Sequence, residues 1–187
     1  MNRDFAETLS ALSEAGAEFL IVGAHALAAH GLPRATGDLD IWVRPSPENA
    51  RRVLEALRTF RAPLHDLTEE DLGRPGTVFQ IGVVPNRIDI LTAISGVTFD
   101  EAWPRRECFD VEQQRLPFLG RGDLAANKRA AGRPKDLADL AAEEKADLLV
   151  IGYRHRTKSG KYFLGSDAQD ILLAAPCPVL LVRPPEG

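Results

Sequence analysis

A chain of 187 residues is long enough for one ordinary hydrophobic core, or for one small domain with an appendage, but short for two full-sized domains. Hydrophobic residues make up 44% and charged residues 27%, which excludes a disordered chain or a coiled coil. The net charge of -4, without a long basic stripe, argues against non-specific binding to a nucleic-acid backbone.

Cys108 and Cys177 lack the spacing of a zinc site or a disulfide framework, so reduced, structural thiols are expected. The N-terminus carries no apolar leader and no stretch is long enough to cross a bilayer, which predicts a cytoplasmic protein without a membrane partner.

In chain order, Phe5, Leu9 and Leu12 recur at helical spacing and predict a first helix ended by Gly16. Phe19 to Val22 reads as a strand, followed by a tight turn at Gly23-Ala24 and an Ala-rich helix to His30 capped by Gly31. Leu39 to Val43 is a second strand. Ser46 and Pro47 then supply an N-cap and first helical position, and Ala50, Val53, Leu54 and Leu57 supply an apolar face.

Thr77 to Val84 and Arg87 to Leu91 predict a hairpin turned at Pro85-Asn86. Asp123 is expected to cap a helix running through Lys128, and Pro134 to open another through Leu140. Asp147 to Ile151, a Gly- and Lys-containing loop, a helix over about 166–174 and a strand from Val179 to Val182 complete a parallel strand-helix-strand unit.

Chemistry concentrates at Asp38, Asp40 and Asp89. Two residues apart on a strand, Asp38 and Asp40 leave by the same face, where their charges repel unless a cation holds them. Oxygen-only ligation suits Mg²⁺ or Mn²⁺ rather than zinc. An acidic-x-acidic triplet alone also fits a solvated strand edge; Asp89, flanked by Ile88 and Ile90 in a second apolar strand, shifts the balance towards a metal site. Gly23 and Ala24, between strand and helix, can present backbone N–H groups to a phosphate. His25 and His30, five residues apart, fit local packing better than metal ligation.

The run from Val22 to Val43, with Gly23-Ala24 followed by Arg34-Ala35-Thr36-Gly37-Asp38-Leu39-Asp40, resembles the signature of the minimal nucleotidyltransferases of the polymerase-β superfamily, including antitoxin-like and AbiE-type members. Arg87-Ile88-Asp89-Ile90-Leu91 resembles the strand that brings the third carboxylate, and the segments around Asn127-Lys128-Arg129 and Arg133 to Asp139 resemble the helical end of that domain.

The resemblance implies an α/β (α+β) fold, a mixed sheet flanked by helices over residues 1–143. It also implies transfer of a nucleoside monophosphate from an NTP, ATP first among them, to an unknown acceptor. Asp38 and Asp40 would hold the metals, and Asp89 would complete the site. Gly23, Ala24, Arg34, Thr36 and Lys128 are the candidate nucleotide contacts; Arg34 suits either a phosphate contact or a brace for its loop. The family shows Gly-Gly or Gly-Ser at the turn, so Ala24 removes a hydroxyl contact and leaves the backbone cradle.

From residue 144 to 187 the chain resembles the last third of a universal stress protein. Asp147 to Gly152 matches that family's fourth strand, Gly160 to Ser166 its phosphate loop, and Ala175 to Val182 its closing strand. Gly160, Gly165 and Ser166 are thereby candidate ATP contacts, and the Val179 to Val182 edge a candidate homodimer contact. The first half of that fold has no counterpart in the sequence. An RNA acceptor, a toxin partner for an antitoxin-like protein with a degenerate site, and an ATP-binding stress module are the functions weighed beside the transferase.

Overall fold

The computed structural model of the chain describes residues 2–33, 36–83, 85–152 and 171–182. It forms two compact units, Met1–Leu124 and Ala125–Gly187. In the first, Asn2 accepts a hydrogen bond from the Asp4 N–H and opens α1 (Arg3–Glu14), which buries Phe5, Leu9 and Leu12. The helix stops before Gly16, whose φ of 65° continues no right-handed helix.

β1 (Phe19–Ile21) is buried throughout, and the chain then enters α2 (Gly23–Ala29) one residue earlier than the Ala-rich run suggests. β2 (Asp38–Val43) alternates half-buried Asp38 and Asp40 with buried Leu39 and Ile41 before Trp42 and Val43 close it in the core. α3 (Pro47–Thr59) starts as expected: the Ser46 hydroxyl accepts from the Asn49 N–H, Pro47 leads, and Ala50, Val53, Leu54 and Leu57 are buried.

α4 (Glu69–Leu72), held by a Thr68/Asp71 capping box, precedes β3 (Val78–Ile81) and β4 (Arg87–Leu91), the expected antiparallel hairpin. α5 (Phe99–Ala102) and a 3₁₀ turn at Trp103–Arg105 lead to a second hairpin that the sequence reading missed: β5 (Glu107–Val111) and β6 (Gln114–Phe118). Its turn residues Glu112 and Gln113 both have positive φ, 47° and 69°, without the Asn-Gly pair that usually announces such a turn.

The six strands form one mixed sheet in the order β3-β4-β2-β1-β6-β5. β2 lies at its centre, parallel to β4 and antiparallel to β1. Both neighbours of the Asp38–Asp40 strand are thus apolar strands of the core, and the aspartates lie at the end of β2 where burial relaxes.

α6 (Arg121–Ala131) begins two residues before Asp123. Asp123 is therefore not its cap but sits in the first turn, where its carboxylate accepts from Nε and Nη2 of Arg105 at 3.0 and 2.8 Å. The second unit contains α7 (Pro134–Glu143), opened by its proline and running three residues beyond Leu140. β7 (Leu149–Gly152) and β8 (Val179–Val182) pair in parallel, with Val150 opposite Leu180 and Gly152 opposite Val182.

Ile151 and Ile171 are buried, whereas Leu148, Val150, Leu180 and Val182 are exposed. Of the predicted helix over 166–174, residues 171–174 are helical; the rest of it lies outside the described residues, as do Gly160, Gly165 and Ser166. Among the described residues no helix is long and apolar enough to cross a membrane.

Candidate functional site

The register of β2 against β4 pairs Asp38 with Arg87 and Asp40 with Asp89. Paired residues of neighbouring parallel strands share a sheet face about 4.8 Å apart. Asp38, Asp40, Arg87 and Asp89 therefore form a two-by-two block on one surface. β3 adds Gln80 next to Asp89, and its amide donates to Asp89 Oδ1 at 3.2 Å. Asp89 is buried, which a carboxylate tolerates only with such partners.

Two glycines shape the approach to this block. A Cβ built on Gly23 would collide with the Asp40 carboxylate, and its φ of 63° is a left-handed value, so both space and backbone demand glycine there. The Asp40 carboxylate consequently abuts the β1–α2 turn, while the Asp40 carbonyl accepts from the Val22 N–H at 3.0 Å. Gly37 meets the backbone of Pro85 so closely that any side chain would clash. Its carbonyl accepts from the Arg87 N–H at 3.3 Å, which brings the β3–β4 turn against the start of β2.

Thr36 adds a local brace. Its hydroxyl accepts from the Asp38 N–H and donates to the Asp38 carbonyl, both at 3.1 Å, and this fixes the backbone at the entry to β2. Arg34 and Ala35 lie outside the described residues.

Sequence reasoning passed over Arg87, whose only signal was its place two residues before Asp89. Its Nη2 donates to Asp38 Oδ2 at 2.9 Å. Its Nε stands 3.0 Å from Asp89 Oδ1 but off the hydrogen-bonding line, so that contact is an ion pair. Among the described residues no three His, Cys, Asp or Glu side chains stand together closely enough to hold one metal ion. The three aspartates share a face, and a guanidinium stands between two of them. The donor set nevertheless fits a hard divalent cation. Its atoms are all carboxylate oxygens, and Asp38 Oδ1 is buried without a hydrogen-bond partner among the described residues.

Lys128, expected to reach a triphosphate, has another occupation. Its side chain is 6% exposed and its ammonium lies 3.2 Å from Asp136 Oδ1 and 2.6 Å from Asp139 Oδ2, tying α6 to α7. Arg133 Nε donates to Asp136 Oδ2 at 2.6 Å. Burial alone would raise the Asp136 pKa, but the Arg133 hydrogen bond and the charges of Lys128 and Arg133 outweigh it and hold the carboxyl below its ordinary value.

His25 and His30 are packed against aromatic rings, as their spacing suggested. His25 stacks edge-on to Phe5, and burial lowers its pKa. The His30 ring meets the Leu119 carbonyl through Nε2 at 2.9 Å.

Comparison with known proteins gives two results on different parts of the chain. Residues 101–183 match the universal stress protein family, starting upstream of the resemblance read from residue 144. The chain is 51% identical over 90 residues to a universal stress protein of Thermus aquaticus, and 62% identical over 39 residues to one of Mycolicibacterium smegmatis. These alignments cover 46% and 21% of this chain, and 64% and 30% of those relatives, so less than two thirds of either protein is represented.

The fold itself is similar to the crystal structure of a candidate nucleotidyltransferase from Thermotoga maritima. The TM-score is 0.51 at 14% identity, over 76% of this chain and 91% of that one. The fold class agrees with the sequence reading: a mixed sheet with flanking helices, similar in fold to that structure, and a C-terminal part whose sequence is similar to universal stress proteins.

Proposed function

We propose that residues 1–143 are a metal-dependent nucleotidyltransferase domain, and that residues 144–187 are an appended stress-protein segment. The observation that carries the reading is the pairing of Asp40 with Asp89 on the face shared with Asp38, with the Asp40 carboxylate set against Gly23 at the start of α2. Asp38 and Asp40 would hold Mg²⁺ or Mn²⁺, which neutralises charge developing on the triphosphate. The turn receives phosphate oxygens through its backbone, and Thr36 keeps Asp38 in place.

In the step proposed, an acceptor hydroxyl attacks the α-phosphorus of an NTP, ATP being the first to try. A new P–O bond forms, the bond to pyrophosphate breaks, and the hydroxyl proton passes to Asp89. Buried beside Gln80, Asp89 is held in one orientation for that task. The cytoplasm, where nucleotides are abundant and thiols stay reduced, is the compartment in which this chemistry would run.

Incubation with labelled NTPs and candidate acceptors, RNA ends and co-purifying proteins among them, tests the reading. Transfer by the wild type that survives Asp38→Asn and Asp40→Asn would sink it. A stoichiometric protein partner without turnover would instead identify an antitoxin-like binder.

A second reading is favoured by the match over residues 101–183: the tail binds ATP through the stress-protein loop and pairs two copies through β8. The apolar face of Leu148, Val150, Leu180 and Val182 is the surface such pairing would cover. Sedimentation of the full chain beside a Leu180→Lys variant decides the pairing. Loss of ATP binding on removing residues 145–187, with none on Asp38→Asn, would assign the nucleotide to the tail.

A further inference from the structure

We infer that Arg87 is an internal counter-cation, holding the carboxylate face together without metal and leaving it when a divalent ion enters. This role rests on the proposed use of Asp38, Asp40 and Asp89 as a metal site, and adds to it a residue that competes with the ion.

Asp38, Asp40 and Asp89 share one face of two adjacent parallel strands, and like charges on one face repel, more so where one of them, Asp89, is buried. Among the described residues Arg87 is the one cation in contact with both Asp38 and Asp89. It reaches them from within the block, because its own position on β4 is the register partner of Asp38 and lies two residues before Asp89.

The match is partial. A guanidinium fully matched to a carboxylate forms two parallel hydrogen bonds. Here one group is divided between two carboxylates, with a single hydrogen bond to Asp38 and an ion contact to Asp89 that lacks hydrogen-bond alignment. Asp38 Oδ1 is buried and has no hydrogen-bond partner among the described residues. A small divalent ion can engage such an oxygen together with those that Arg87 now contacts. Ion and guanidinium draw on the same lone pairs, so each must weaken the other. Once displaced, the guanidinium stays anchored to β4, and its planar fork suits the phosphate oxygens that arrive with the ion.

The test is a titration of the full chain with Mn²⁺ alone, without nucleotide, following free Mn²⁺ by its paramagnetic resonance signal. Wild type, Arg87→Met and Arg87→Lys are compared, and each is melted with and without Mn²⁺. The Mn²⁺ dissociation constant should fall by about tenfold in Arg87→Met, and the metal-free variant should melt below wild type and regain more on adding Mn²⁺. Arg87→Lys, a point charge without the fork, should lie between the two.

Equal or weaker Mn²⁺ affinity in a folded Arg87→Met protein would overturn the counter-cation role while leaving the metal site in place. Absence of Mn²⁺ binding in all three proteins would overturn both the role and the metal reading beneath it. Should Arg87→Met not fold, Arg87→Lys decides: severalfold tighter Mn²⁺ binding supports the competition, and unchanged binding ends it.

Discussion

Asp40 and Asp89 face each other across the parallel β2–β4 ladder, so two carboxylates 49 residues apart in sequence leave the sheet side by side. If this pair serves nucleotide transfer, Asp40→Asn or Asp89→Asn should lower the transfer rate by about 10²-fold or more, a loss comparable to removing a group that stabilises developing charge. Near-native circular dichroism with near-native transfer would refute the assignment.

Nucleotide and metal should act together on stability. At about a hundred times its dissociation constant, ATP with Mg²⁺ should add about 2.7 kcal/mol to the unfolding free energy, and EDTA should remove the gain. A melting temperature indifferent to both additions would count against a nucleotide site on either unit.

Gly23→Ala combines two faults: a left-handed φ that costs a non-glycine residue about 1–2 kcal/mol, and a methyl group driven into the Asp40 carboxylate. The expected result is a melting temperature several degrees lower together with weakened metal-nucleotide binding. A strain effect alone would move only the first, so calorimetric titration separates the two.

Lys128→Met should destabilise the protein by about 3–5 kcal/mol in urea unfolding, since it leaves Asp136 buried without its ammonium partner. The folded pKa of Asp136 is depressed, so the unfolded chain binds more protons in acid. The stability Asp136 contributes is therefore present above the unfolded value of about 3.9 and is lost as pH falls from there through the lower folded value. Asp136→Asn should flatten the stability profile in that range. An unchanged profile would mean that other carboxylates dominate acid unfolding.

The β5–β6 turn invites a stabilising change. Glu112→Asn with Gln113→Gly relieves two positive φ angles and should raise the melting temperature by a few degrees. No change would indicate that the flanking pairs, such as Phe109 opposite Leu116, set the turn whatever its residues.

Elements announced by apolar period and punctuation were legible. Phe5, Leu9 and Leu12, the Ser46-Pro47 start, and the Pro85-Asn86 hairpin all fall where chemistry places them. The β5–β6 hairpin was not, because the strand Glu107-Cys108-Phe109-Asp110-Val111 is mostly exposed and its turn uses Glu and Gln. Asp123 was misread as a cap because its partner, Arg105, is eighteen residues away in sequence.

For the site, spacing revealed that Asp38 and Asp40 share a face. The register that sets Asp89 beside Asp40, and so brings Arg87 to Asp38, depends on which strands adjoin, and no local pattern encodes that. The ion pairs of Lys128 were illegible for the same reason: its two carboxylate partners come from the next helix.

The span between the two halves of the aspartate face has a consequence for the protein's birth. β2 is complete at Val43, but its parallel neighbour ends only at Leu91, and a parallel pair cannot close without the intervening crossover. A nascent chain emerging from the ribosome would carry Asp38 and Asp40 through all of that synthesis with neither Asp89 nor Arg87 to answer them. Any truncation upstream of β4 would leave a fragment with half of that face, however much of its sequence signature it retained.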